Sequence, residues 1–272
     1  MIYLDNNSTT KPLDGSLDLV RNMISMPMNP SSVHSFGRNA RKLLEDSREK
    51  LAKALGIKLG RGGRSLVFTS GGTEANNLVL NNFKDGNILY SAVEHASIYD
   101  HAKGLENAVE IPVDNNGIVD LGFIENFLSS HEGQKNLVTI MYANNETGLI
   151  QPVSDIAKIA QKFGAKFHTD AVQAFGKIKT NFEEIDFVSI SAHKIGGIIG
   201  VGALIAPEEF HIKASIIGGG QEKGARSGTE NVIGAAIFAY AAEEAIRNLD
   251  EYIEKTKKIR DYLESQVLAF EN

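Results

Sequence analysis

Apolar and polar positions along the chain fall into two rhythms. Seven short runs rich in Val, Ile, Leu and Phe read as strands: SLVFTS, NILYS, VEIPV, NLVTIMYA, AKFHT, DFVSIS and VGALIA, spread from Ser65 to Ala206. Elsewhere the period lengthens. Ala40, Leu43, Leu44, Ser47, Leu51, Ala54 and Leu55 recur at helical spacing and predict an amphipathic helix over Arg38 to Leu55, stopped by Gly56. In SDIAKIAQKFG, Ile156, Ile159, Ala160 and Phe163 share one face, with Ser154 or Asp155 as cap and Gly164 as terminator, the pattern of a crossover helix. The stretch from Glu230 to Ala269 is apolar at first and charged afterwards, which predicts helix with a break near Arg247 to Asp250. Strands alternating with helices, without repeats or low-complexity linkers, predict an α/β fold on a mainly parallel, doubly wound sheet.

The residues just beyond the strands add chemistry to this outline. LVFTS runs into GGTE, NILYS into AVEHAS, VTIMYA into NNETG, AKFHT into DAVQ and FVSIS into AHKIGG. Ligands of open α/β sheets bind beyond the carboxyl ends of the strands, so these polar ends predict one convergent site. The glycines and Thr73, at the start of a helix, suit either a small phosphate or a plain turn and cap. Asp170 could cap a turn or pair with a ring nitrogen. His95 could cap a helix, stack on a flat ligand or exchange protons. Asn144 and Asn145 could make a turn or hydrogen-bond a phenolic oxygen. Lysines are usually solvated, but Lys194 gains a task if desolvation frees its amine to attack an aldehyde. Pyridoxal 5′-phosphate (PLP) offers all the matching groups: one phosphate, a pyridine nitrogen, a phenolic oxygen, a flat ring and an aldehyde.

Composition and missing motifs narrow the alternatives. There is no G-x-G-x-x-G, no lysine-containing nucleotide loop and no H-E-x-x-H, and GARSG is not a G-x-S-x-G elbow, so nucleotide, metal and serine-hydrolase chemistry are not expected. A formal charge of −6 gives no footprint for nucleic acid. VIGAAIFAYAA is well short of the ~20 apolar residues of a membrane span, and MIYLDNN is not a signal pattern, so a cytoplasmic location and no membrane partner are expected. The absence of cysteine removes disulfides, thiolate metal sites and thiol catalysis from these residues.

Taken in order, YLDNNSTT, NPSSVHSFGRNAR, TSGGTEANNL, EHAS, YANNETG, FHTDAVQAFGK, SAHKIGG and RSGTEN resemble the cysteine desulfurases of the NifS/IscS type, PLP enzymes of the class-V aminotransferase family, as far as about Ala245. The resemblance implies the PLP-dependent transferase fold of type I. It also implies a PLP-binding large domain over 15–245, an N-terminal segment 1–14 associated with the small domain, and the start of an incomplete small domain over 246–272. Lys194 would carry the cofactor, Asp170 would partner the pyridinium nitrogen, and His95 would stack on the ring. Asn145 and Gln173 would contact the phenolic side, while Gly72, Thr73, Ser191, Ala192 and His193 would line the phosphate site. Thr229 would reach the phosphate of a neighbouring subunit, implying a homodimer. The implied reaction takes sulfur from L-cysteine, leaving alanine, for a sulfur acceptor or scaffold protein in iron-sulfur cluster or thio-cofactor synthesis.

The sequence also departs from that pattern. The cysteine that accepts sulfur and the arginine that holds the substrate carboxylate have no counterpart up to Asn272, and IGGIIGVG follows Lys194 where relatives usually carry a bulkier loop. Turnover by this chain alone is therefore expected to be impaired, with cofactor binding retained. The other readings are an inactive PLP-binding remnant or partner subunit, and a different class-V activity such as transamination or C–S lysis.

Overall fold

The computed structural model describes residues 2–270. All seven predicted runs are strands of one sheet: β1 (Arg64–Thr69), β2 (Asn87–Ser91), β3 (Ala108–Ile111), β4 (Asn136–Thr139), β5 (Lys166–Asp170), β6 (Phe187–Ser191) and β7 (Gly202–Pro207). Their spatial order is β1-β7-β6-β5-β4-β2-β3, and β7 alone runs antiparallel to its neighbours, so the sheet is mainly parallel as expected. Side chains alternate between the faces with the period of two that a pleated strand imposes. Leu66, Phe68, Val138, Val188 and Ile190 enter one core; Val67, Leu137, Phe187 and Leu204 enter the other. β4 is shorter than its apolar run, although Ile140 N and Tyr142 N still donate to His168 O and Asp170 O of β5 at 3.1 and 2.9 Å before the turn. Asn144 Oδ1 accepts from the N–H groups of Glu146 and Thr147, at 2.8 and 2.9 Å, and closes that turn.

The helices are α1 (Asp14–Met23), α2 (Ser35–Ala54), α3 (Gly72–Phe83), α4 (Ala96–Lys103), α5 (Leu121–Ser130), α6 (Val153–Lys162), α7 (Val232–Arg247) and α8 (Leu249–Leu268). α1 and α5 are additions to the elements read from sequence. α2 begins earlier than its apolar period suggests because His34 caps it, accepting from Gly37 N at 3.3 Å. For α6 the expected cap is corrected: Pro152 precedes the first turn, and Ser154 and Asp155 lie inside the helix. Proline has no N–H to leave unpaired, so it suits the entry to a helix. Gly164 ends α6 with φ +66°, the left-handed conformation that glycine adopts without strain. The break after Arg247 falls at Asn248, whose side chain donates to Glu244 O at 2.9 Å. α7 buries its alanine-rich face and packs against α2, whereas α8 buries no residue.

Candidate active site

The chain leaves β2 toward β3 on one side and leaves β4 toward β5 on the other, which opens a crevice at the carboxyl ends of the central strands. β1 lies at the far edge, yet its following turn reaches this crevice by crossing the start of β7. A Cβ at Gly202 would stand 2.6 Å from the Gly71 carbonyl carbon, and one at Gly72 would stand 2.8 Å from Val172 Cγ2. Only glycine permits both approaches. They set the N-terminus of α3 over the ends of β5 and β6, where its first N–H groups lack intrahelical partners and favour an anion.

The result is a cavity of about 580 Å³. Nine of the expected residues line it: Gly72, Thr73 and His95 from the first two segments, Asn145, Asp170 and Gln173 from the next two, and Ser191, His193 and Lys194 from the last. Two do not. Ala192 is buried behind the cavity and its N–H donates to Val201 O at 3.2 Å, so that group is already engaged. Thr229 lies outside, exposed in a separate groove with Ser70 and Arg226. Of the two asparagines left open by the sequence, Asn144 builds the turn and Asn145 faces the cavity.

Asp170 is buried at the end of β5, with Oδ1 accepting from Val172 N at 2.9 Å and Oδ2 from Asn76 Nδ2 at 2.7 Å. Burial raises its pKa above the usual carboxylate value, against the pull of those hydrogen bonds and of His95 and Lys194. His95 caps α4: its Nδ1 accepts from Ser97 N at 3.1 Å and bonds Ser97 Oγ at 2.8 Å. Glu94, wholly enclosed, accepts from Ser91 Oγ and Met141 N, both at 2.8 Å, and burial pushes it up to about 8.

Lys194 ends a short 3-10 turn, Ala192–Lys194, and is only partly buried. Its ammonium donates to the main-chain carbonyls of Asn7 and Ser8. The strap that supplies them is tied down by Thr10 N and Thr10 Oγ1, which donate to His193 O at 2.9 and 2.8 Å, and by Leu13 N on Gly196 O at 2.9 Å. Desolvation lowers the Lys194 pKa below the ordinary lysine value while Asp170 and Asp5 oppose the change. Nearby, Lys177 is brought down to about 8 by burial and by the Lys194 charge, and its Nζ donates to Gln173 Oε1 at 2.5 Å.

The sequence patterns alone single out neither Asn76, Ser97, Glu94 and Lys177 nor the strap residues. All of them fall within the motifs TEANNL, EHAS, QAFGK and YLDNNSTT, and those motifs are the available signal. Among the described residues no cluster of His, Asp or Glu is placed to hold a metal, and no helix is long and apolar enough to cross a membrane.

The donor set fits PLP. A helix N-terminus with a hydroxyl at Thr73 suits the phosphate, a buried carboxylate at Asp170 suits a protonated ring nitrogen, and the Lys194 amine stands in the same cavity. Comparison with known proteins agrees with this chemistry. The class-V aminotransferase family profile matches residues 2–272. The cysteine desulfurase IscS of Dictyoglomus turgidum is 39% identical over 279 residues, covering 98% of this chain and 69% of that protein. The solved structure of a NifS-like protein from Rickettsia africae superposes with a TM-score of 0.96 at 45% identity, over 99% of this chain and 75% of that one. A solved structure of SspA in complex with cysteine superposes with a TM-score of 0.80 at 28% identity, over 89% of this chain and 72% of that one. The chain belongs to the PLP-dependent class-V aminotransferase family, among relatives named as cysteine desulfurases.

Proposed function

We propose that this chain binds PLP on Lys194 and uses it to withdraw sulfur from L-cysteine, leaving alanine. The observation that carries the reading is the meeting of Lys194, Asp170 and the N-terminus of α3 in one cavity at the ends of three strands. When bound, PLP supplies an aldehyde for an amino group and a ring that accepts electrons. The chain's own groups have separable tasks. Lys194, with its amine eased toward the neutral form, provides the nucleophilic nitrogen. Asp170 supplies the negative charge that favours a proton on a facing ring nitrogen. His95 carries its exchangeable proton at Nε2, since Nδ1 accepts from the Ser97 backbone. The α3 terminus and Thr73 orient the phosphate. Thr229, exposed and outside the cavity, is available to a second copy of the chain, in keeping with a homodimer.

No thiol lies within these 272 residues, so a protein thiol that accepts sulfur must come from outside them. The test is to incubate the PLP-loaded chain with L-cysteine, with and without a dithiol, and to quantify alanine. Multiple turnovers to alanine, faster with the dithiol than with L-cysteine as the only thiol, support the reading. Pyruvate and sulfide, assayed alongside alanine, would instead favour a C–S lyase, and bound cofactor with neither product in either case would favour a PLP-binding partner subunit.

A further inference from the structure

Asn76 lies in the TEANNL motif on α3, 1% exposed, in the wall of the cavity, and it carries no charge and no reactive group. Its side-chain nitrogen makes two hydrogen bonds, one to Asp170 Oδ2 at 2.7 Å and one to Ser97 Oγ at 2.9 Å. Both amide protons are thereby used. Ser97 Oγ, having accepted one proton, directs its own to His95 Nδ1 at 2.8 Å, and Ser97 N donates to the same nitrogen at 3.1 Å. A single side chain therefore touches the carboxylate and, through one hydroxyl, the imidazole.

Proton counting gives this chain of bonds a direction. An amide nitrogen only donates and an ionised carboxylate only accepts, so the contact at Oδ2 requires Asp170 to present a lone pair there. The reversed amide would set Oδ1 against Oδ2, which is favourable only if Asp170 is protonated. The observed orientation leaves Asn76 Oδ1 buried without a donor. A buried acceptor without a partner is costly, and an aliphatic residue would fill this helix position without that cost. The retained amide is explained by what its nitrogen does.

We propose that Asn76 is a positioning residue with two outputs: it keeps Asp170 presented to the cavity as a carboxylate, and through Ser97 it holds His95 with Nδ1 as acceptor and the proton on Nε2. The proposal rests on the PLP-site reading, since that reading sets both groups against the ring. Its content is electrostatic. Besides Asn76 on α3, Asp170 feels His95 from the cap of α4 and Lys194 from the 3-10 turn, both favouring its charge, and Glu94 from the β2–α4 loop is coupled to it. Burial favours the neutral acid, so the Asn76 donor opposes a large tendency.

The test uses the full chain without cofactor, with ¹³C-labelled Asp carboxyl groups and ¹⁵N-labelled His rings followed by NMR across pH. In Asn76→Leu the Asp170 titration midpoint should rise by about one pH unit or more, because one of its two hydrogen bonds is gone. In Asn76→Asp the new carboxylate and Asp170 should titrate in two coupled steps. Ser97→Ala should leave the Asp170 midpoint in place and reduce the excess of the His95 tautomer with the proton on Nε2, without reversing it, because the main-chain N–H of residue 97 still donates to Nδ1. Should Asn76→Leu fail to fold, the Asp and Ala variants carry the same question. An Asp170 midpoint that no Asn76 variant moves, or a wild-type His95 with its proton on Nδ1, would overturn the proposal. PLP is then added separately: a folded wild-type chain that stays colourless refutes the cofactor reading and leaves the titration result standing on its own.

Discussion

The two ends of the cavity hold their charges by different means. At the Asp170 end Asp170, Asn76, Ser97 and Glu94 are all buried, the first three on the sheet and the helices packed on it and Glu94 in the short β2–α4 loop. Burial there pushes both carboxyl groups upward, and hydrogen bonds from fixed donors decide how much of the charge survives. At the Lys194 end the amine is partly exposed and rests on carbonyls of a strap some 187 residues away in sequence. The strap is held by a few main-chain and threonine contacts. One end is set by the core, the other by a segment held through those few contacts. The lesson is that the carboxylate end is fixed by buried donors, while the lysine end is held by main-chain carbonyls of a surface strap.

Four substitutions would break or sharpen that contrast. The largest effect is expected from Asp170→Asn. Truncating one partner of a buried charge pair typically costs about 2–5 kcal/mol, so the PLP dissociation constant should rise by roughly two orders of magnitude, measured by equilibrium titration of absorbance. Unchanged affinity would mean that Asp170 faces nothing charged.

Glu94→Gln probes the same end through stability. Glu94 has a folded pKa of about 8 against an ordinary value of 4.5, so its contribution is fully present below pH 4.5 and is lost as pH rises through 8. The glutamine variant should lose this alkaline decline. It should gain on the order of 3 kcal/mol relative to wild type between pH 4.5 and pH 9, read from urea unfolding at both pH values. His168 provides the acid arm. Enclosed between Thr139 Oγ1 at 2.8 Å and Ser189 Oγ at 2.9 Å, it has a pKa of about 3 against 6.5, so its contribution is present above 6.5 and lost as pH falls through 3. That arm should remain in the Glu94 variant.

At the lysine end, Lys177→Met removes both a neighbouring positive charge and the donor that fixes Gln173. The Lys194 amine should then hold its proton more tightly. PLP capture at pH 7 should slow by about three- to tenfold, with the difference fading toward pH ~9, as stopped-flow mixing would show. A slowing that is the same at every pH would point to Gln173 orientation alone. The smallest effect is expected from Thr10→Val. It deletes the bond from Thr10 Oγ1 to His193 O and the bond from Gly196 N to Thr10 Oγ1, each 2.8 Å. Strap opening should become easier by about 1–2 kcal/mol in hydrogen exchange over residues 5–13, with no change around Asp170.

Much of the site could be read from sequence because catalytic groups of an open sheet stand at strand ends, where a polar residue interrupts an apolar run. Lys194, Asp170, His95 and Asn145 are visible for that reason. Asn76 and Ser97 are not, since a polar residue on a helix gives no sign that it faces a buried carboxylate. The strap is illegible as well: its carbonyls act through the backbone, and no side-chain pattern links Asn7 and Ser8 to Lys194. Ala192 is assigned to the phosphate site by its place in a motif, whereas its N–H belongs to Val201. The cap of α6 is misleading in the sequence because Ser and Asp are common caps, while Pro152 is the entry the chain uses.

The central claim is that Lys194 carries the cofactor. The direct measurement is to load the folded chain with PLP, reduce it with borohydride and map the labelled peptide. One pyridoxyl group per chain is expected, on Lys194. A label on Lys177 or any other residue, or no label on a folded chain, would contradict the claim.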